Sequence, residues 1–192
     1  MKHKAIAITI KPQHLVNILN GTKTLEIRKN KALYNAIKKM IAEKGKATIV
    51  AVCSKGNTAL FYNWRLRQYW TRKARDYRVY EDALNGKVVC KWECDRVEEL
   101  YFYDEYATLY LETEIKYFYK KCCLNQKDLF DYLGFRKGYA IPIQNLVVFE
   151  RAKELKELKH LIGYWHFGCL EKPIYVGLEK APQNYAWVEV EE

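Results

Sequence analysis

The sequence lacks the patterns by which several chemistries are usually recognised. Its six cysteines, Cys53, Cys90, Cys94, Cys122, Cys123 and Cys169, contain no C-x-x-C pair. Adjacent Cys122 and Cys123 do not suit a simple disulfide framework, and Cys90 and Cys94 read as small buried hydrophobes on one face of a strand. There is no Gly-rich phosphate loop and no Ser/His/Asp motif. No internal repeat or low-complexity segment interrupts the chain. No apolar run approaches the ~20 residues that span a bilayer, and the apolar stretch after Met1 is too short for a signal peptide. The expectation is a cytoplasmic protein with free thiols, no cofactor and no membrane association.

What is present is basic charge, unevenly placed. The net charge of +10 is concentrated near the N-terminus. Residues 1–46 hold eleven Lys/Arg against two Glu, and residues 47–80 hold seven against one Asp. The remainder is mildly acidic, with fifteen basic and twenty acidic residues. Such segregation points to a basic surface and a polyanionic partner, the alternative being a solvated Lys-rich face. Aromatics reach 15% of 192 residues, enough with the aliphatics to bury a core.

Along the chain, Ala5–Ile10 reads as a strand ended by Pro12, and His14–Leu19 as a helix stopped by Asn20-Gly21. Thr24–Arg28 alternates, with Leu25 and Ile27 opposed to Thr24, Glu26 and Arg28. Tyr34–Lys44 is helical up to Gly45, and Ala47–Cys53 is a buried strand. Residues 54–85 read as an irregular insert, partly helical, ending at the Asn85-Gly86 turn. Lys87–Leu100 is predicted as one long strand with Val88, Cys90, Trp92 and Cys94 on one face. Leu124–Leu133 is a helix capped by Asn125 and stopped by Gly134. Gly138–Phe149 is a strand in which Pro142 marks an edge or bulge. Arg151–Leu161 is read as one helical turn or more, the Arg151–Lys159 charge run as a solvated helix face, and Ile174–Leu178 and Tyr185–Val190 as final strands. About six strands with short helices, mostly not alternating, predict an α+β fold built on a small barrel.

Two parts of the sequence carry a family resemblance. One is "AIAITIKPQHLVNILNGTKTLEIRK", with Ile10, Lys11 and Pro12, then Gly21, Lys23, Thr24, Glu26 and Arg28. The other comprises "GKVVCKWECDRVEEL", "LGFRKGYAIPIQNLVVFE" and the tail "LEKAPQNYAWVEVE". Together they resemble the ASCH domain family, of phage or bacterial type. The resemblance covers most of the chain but not residues 54–85 or 101–120, and it implies a PUA-like mixed β-barrel with short peripheral helices; the whole is read as one domain over residues 1–192 that carries an aromatic and basic insert at about 54–85. It also implies a cleft for RNA or a modified base. Such proteins include RNA-binding modules, amidohydrolases acting on acetylated cytidine, and nucleases, so the site must decide.

For binding, Arg28 would grip a phosphate or base edge, Lys11, Lys23 and Lys137 would add charge, and Tyr139 would stack on an unpaired base. Gly21 and Thr24 shape the turn, which is expected to expose Lys23 and Thr24. For hydrolysis, Lys23, Thr24 and Glu26 are the catalytic candidates. In the amidohydrolase branch, however, Glu26 stands where the nucleophilic Thr is implied, and Glu93 is the candidate for its later Glu. Phe61–Tyr80 interleaves seven aromatics with six Lys/Arg, Arg65 and Arg67 among them, which suits single-stranded nucleic acid. His160, His166 and Cys169 match no common zinc spacing, and no metal is expected. His3 and His14 look isolated. A phage-encoded inhibitor whose basic face contacts a host protein is the remaining alternative.

Overall fold

A computed structural model describes residues 2–73, 82–102, 109–110, 115–134, 136–167 and 170–191. Strand β1 (Lys2–Ile10) leads to α1 (Pro12–Leu19), β2 (Leu25–Arg28), α2 (Lys31–Lys44) and β3 (Ala47–Cys53). Next come β4 (Thr58–Asn63), β5 (Gln68–Lys73), β6 (Val88–Cys94), β7 (Glu98–Phe102) and β8 (Leu109–Tyr110). Helices α3 (Ile115–Cys122) and α4 (Gln126–Leu133) precede β9 (Gly138–Pro142) and β10 (Gln144–Lys153). The last described strands are β11 (Lys159–Phe167), β12 (Leu170–Gly177) and β13 (Ala186–Glu191). The fold is α+β and rich in sheet, with thirteen strands among the described residues where about six were expected.

Seven strands form one sheet in the order β10-β6-β3-β1-β13-β11-β12, and four form another, β2-β9-β7-β8. In the larger sheet β1 and β3 run parallel and the other pairs antiparallel. Both faces of its centre are covered. Ile6, Ile8, Ile49, Ala51 and Trp92 pack with Leu15 and Ile18 of α1 and Leu33 and Ile37 of α2. Ala5, Ala7, Val50, Val52 and Val188 form a second core with Leu158 and Leu178. This two-sided cover explains why all seven residues of β3 are apolar or small and buried. A bulge in the β3–β6 pairing, between Ala51 and Val52, sends Val88 to the second core while Cys90, Trp92 and Cys94 face the first. Val88 therefore does not share their face as expected.

The chain passes between the two sheets four times, through α1 and α2 on either side of β2 and then at two direct strand-to-strand steps. The single strand expected over Lys87–Leu100 breaks after Cys94, so that β6 lies in the larger sheet and β7 in the smaller. Pro142 ends β9 in the smaller sheet, and β10 starts two residues later in the larger. There the Ile143 N–H donates to the Thr24 carbonyl at 2.9 Å. Pro142 thus marks a change of sheet. Among the described residues the ladders form separate sheets and close no barrel.

The insert is the largest departure. Its described part is a β-hairpin, with Phe61 stacked on Trp70 and Tyr62 tilted against Tyr69, each pair 4.8 Å between ring centroids. Cross-strand aromatic pairs of this kind favour strands over the helical alternative. Residues 74–81 lie outside the described residues. Arg151–Leu161 contains only one 3-10 turn, Leu155–Glu157, because β10 continues to Lys153 against β6. No helix of the described residues is long and apolar enough to cross a membrane.

Asn85 joins the hairpin to the sheet. Its side chain accepts from Leu60 N–H at 2.9 Å and donates to the carbonyls of Ser54 and Thr58, at 3.0 and 2.8 Å. Gly86 beside it has φ +80°, which suits glycine. The Asn85→Ala substitution strands the N–H of buried Leu60, and it is expected to lower the urea unfolding free energy by about 1–3 kcal/mol. Parent-like stability would show that the side chain does not hold the hairpin in place.

Candidate nucleic-acid interface

The end of α1 builds the loop that begins at Gly21. The N–H groups of Thr22 and Lys23 both donate to the Asn17 carbonyl at 2.9 Å, and Gly21 N–H donates to Ile18. Gly21 takes φ +74°, and a Cβ there would meet nothing within 4 Å. Its role is therefore conformational: it turns the chain out of the helix. Thr24 then fixes the loop from two sides. Its N–H donates to the Lys121 carbonyl at the end of α3, and its carbonyl accepts from Ile143.

This anchoring turns Lys23 inward. The expectation of an exposed Lys23 is corrected: only 4% of the residue is accessible, while Thr24 is exposed. Lys23 Nζ lies 2.7 Å from Glu26 Oε2, and Arg28 Nε lies 2.8 Å from Glu26 Oε1. Arg28 Nη2 also donates to the Thr9 carbonyl at 2.8 Å. Glu26 and Arg28 share a face of β2, as the alternation predicted. That face is covered, with the Glu26 side chain 5% and the Arg28 side chain 17% accessible. The opposite face places Leu25 and Ile27 against Leu100, Phe118 and Leu129.

Burial raises the Glu26 carboxyl pKa, but Lys23 and Arg28 outweigh it and hold the group below its ordinary value. Glu26 is thus ionised at neutral pH. His14, which looked isolated in the sequence, belongs to this cluster. Burial, Lys23, Lys11 and Arg28 lower its pKa against an opposing pull from Glu26, so its imidazole is neutral at pH 7. Its place two residues into α1 puts it near the loop, a proximity that only the tertiary fold reveals. Tyr132 of α4 also senses Arg28 and Glu26, and its hydroxyl pKa is raised, chiefly by burial.

Lys11 is exposed at the N-terminus of α1, and its carbonyl receives the N–H groups of His14 and Leu15. Lys137 is exposed and ion-paired with Glu99 at 3.0 Å. Tyr139 is a correction: it is 4% accessible and stacks on Tyr34 at 4.5 Å, so its ring is not presented to a base. The reason is its place in β9, opposite Arg28 on one side and Glu99 on the other, beneath α2. Glu93 is engaged by Lys46 and Asn145. Arg65 and Arg67 sit at the exposed tip of the hairpin and take no part in the Glu26 ion pairs. Among the described residues no cluster of three metal-ligating side chains occurs, and Cys169 lies outside them.

No protein-family model matches the chain, and no curated protein matches it. Among solved structures, the crystal structure of ASCH from Zymomonas mobilis is similar, at 12% identity and a TM-score of 0.44. The match covers 95% of this chain and 86% of that one. A likeness at that level carries neither fold nor function across.

The Lys23–Glu26–Arg28 trio has a direct test. Glu26→Gln leaves the buried Lys23 and the partly buried Arg28 without their carboxylate and is expected to cost about 3–5 kcal/mol at pH 7 in urea unfolding. A carboxyl whose folded pKa is depressed adds stability above its unfolded value, near 4.5, and loses it as pH falls through the folded value. The gap between parent and variant should therefore narrow as the pH is lowered below that point. A constant gap across this range would show that Glu26 is not the titrating group.

Proposed function

We propose that this protein binds nucleic acid, RNA above all, through the loop from Gly21 to Arg28 and the basic surface around it. The observation that carries the reading is an imbalance of charge. Lys23 and Arg28 share one carboxylate, and Lys11 stands close enough to act on His14. A buried ion-pair network can be purely structural. Here the cluster retains excess positive charge beside an exposed turn, in the most basic part of the chain. An anionic group docking there would complete its electrostatics. Phosphate is such a group, and guanidinium binds it with paired donors. The likeness of Lys11-Pro12 and of Gly21–Arg28 to the ASCH motif supports the same ligand class.

Hydrolysis has less support. Glu26 occupies the position where the amidohydrolase pattern implies a nucleophilic Thr, and it is ion-paired to Lys23. The later carboxylate considered for that role, Glu93, is engaged by other partners. Nothing specific favours the protein-inhibitor reading over nucleic acid.

The test replaces the whole cluster with apolar side chains of similar size, Lys23→Met with Glu26→Leu and Arg28→Met, which keeps the packing and removes all three charges. RNA affinity, followed by fluorescence anisotropy, is expected to fall at least about tenfold. The slope of log affinity against log salt should also become shallower, by about 0.7 for each phosphate of a single strand that the variant no longer neutralises. Lys11→Glu, at an exposed position, is expected to act in the same direction without disturbing the fold. Unchanged affinity in both variants would remove this reading.

A further inference from the structure

The β4–β5 hairpin carries a second set of groups that the Glu26 cluster does not use. Tyr62, Trp64, Leu66 and Trp70 are exposed on it, with Arg65 and Arg67 between them and Arg72 and Lys73 just after Trp70. Its two faces differ. Phe61 and Trp70 stack on one face. Tyr62 and Tyr69 pair on the other, the side of Leu60, which is buried in the main core.

On that inner side lies a cleft of about 360 Å³. Tyr62, Arg67 and Tyr69 line it from the hairpin, and Val148, Phe149 and Glu150 line it from β10. Pockets for small ligands run from roughly 300 to 1,000 Å³, so this one accepts a single planar heterocycle. Its lining supplies aromatic rings, an apolar floor, one guanidinium and one carboxylate. Among the described residues, Arg67 and Glu150 are in no ion pair or side-chain hydrogen bond.

Two details tie the cleft to the loop. Asn20, the residue before Gly21, clasps the backbone of Tyr69 with two hydrogen bonds, each 2.9 Å. The helix carrying His14 is thus joined to the wall of the cleft. Arg67 also sits at φ +51°, a left-handed conformation that glycine adopts more readily. The turn alone does not call for arginine there.

We propose that this cleft receives one unpaired base of a single-stranded nucleic acid, with the strand's phosphates drawn to the hairpin arginines. The occupant follows from the lining and from the charge around it. A free aromatic metabolite would engage only the cleft, whereas the array from Arg65 to Lys73 matches a polyanion. Glu150 accepts hydrogen bonds from an exocyclic amine, so adenine or cytosine is preferred over uracil. The inference rests on the nucleic-acid reading above and adds a second contact to it.

Fluorescence anisotropy on the full chain tests this, with labelled oligo(A), oligo(U) and an abasic strand, each about ten nucleotides long. Stacking of one base should make oligo(A) bind about 5- to 150-fold more tightly than the abasic strand, with oligo(U) between them. Tyr62→Ala and Arg67→Gly should each weaken oligo(A) binding and narrow its advantage over the abasic strand. Tyr62 is exposed, and glycine suits the backbone at Arg67, so Arg67→Gly carries the test if Tyr62→Ala unfolds. Equal binding of base-bearing and abasic strands by the parent overturns the cleft. So does an undiminished base advantage in Arg67→Gly. In either case, if replacing the Glu26 cluster still weakens binding, the nucleic-acid reading stands without the cleft. A parent chain that binds none of the strands overturns both.

Discussion

Glu26 holds two cations in a place where water scarcely reaches. Its carboxylate meets Lys23 from the loop after α1 and Arg28 from its own strand, and Arg28 reaches on to the carbonyl of Thr9 in β1. One buried anion therefore links the end of a helix, the edge of the smaller sheet and the centre of the larger one. Withdrawing these charges from water is costly, and only their mutual proximity offsets it. The loop geometry follows from this requirement. Gly21 reverses the chain, Asn17 accepts two backbone N–H groups, and Thr24 is fixed between α3 and the start of β10, so that Lys23 faces inward.

The passages between sheets serve the same region. Breaks after Cys94 and at Ile143 carry the chain from one sheet to the other, and the second break is hydrogen-bonded to Thr24 itself. The site thus rests on rigid elements rather than on a free loop. The hairpin is attached to it through Asn20 and to the larger sheet through Asn85. Two side-chain amides hold an exposed aromatic and basic surface in fixed relation to a buried cationic cluster. Both features lie in the part of the chain where the positive charge is concentrated.

Much of the local structure was legible. Gly21, Gly45, Asn125 and Gly134 mark helix ends where they were expected, and Pro12, read as the end of a strand, also opens α1 two residues before the expected start, because caps and stops depend on single residues and their own backbone angles. The near-continuous apolar run of β3 reads as a buried strand, and all seven of its residues are buried. Less legible were features that depend on partners distant in sequence. Lys87–Leu100 reads as continuous, yet its two halves bond to different sheets. The aromatic insert has no clear period, yet its cross-strand ring pairs make it a hairpin. Tyr139 reads as a free aromatic until Tyr34 of α2 is found against it.

By itself, the sequence determined where charge accumulates, where helices stop and which residues line the loop from Gly21 to Arg28. These are properties of composition, of backbone preference and of short-range spacing. Only the tertiary structure decided that Lys23 is buried rather than exposed, that His14 shares its surroundings, and that Glu26 serves both Lys23 and Arg28. Burial and proximity arise from elements brought together across the chain. An alternating strand pattern shows which residues share a face but not what covers that face, and here the cover makes a charged strand surface into an enclosed cationic cluster.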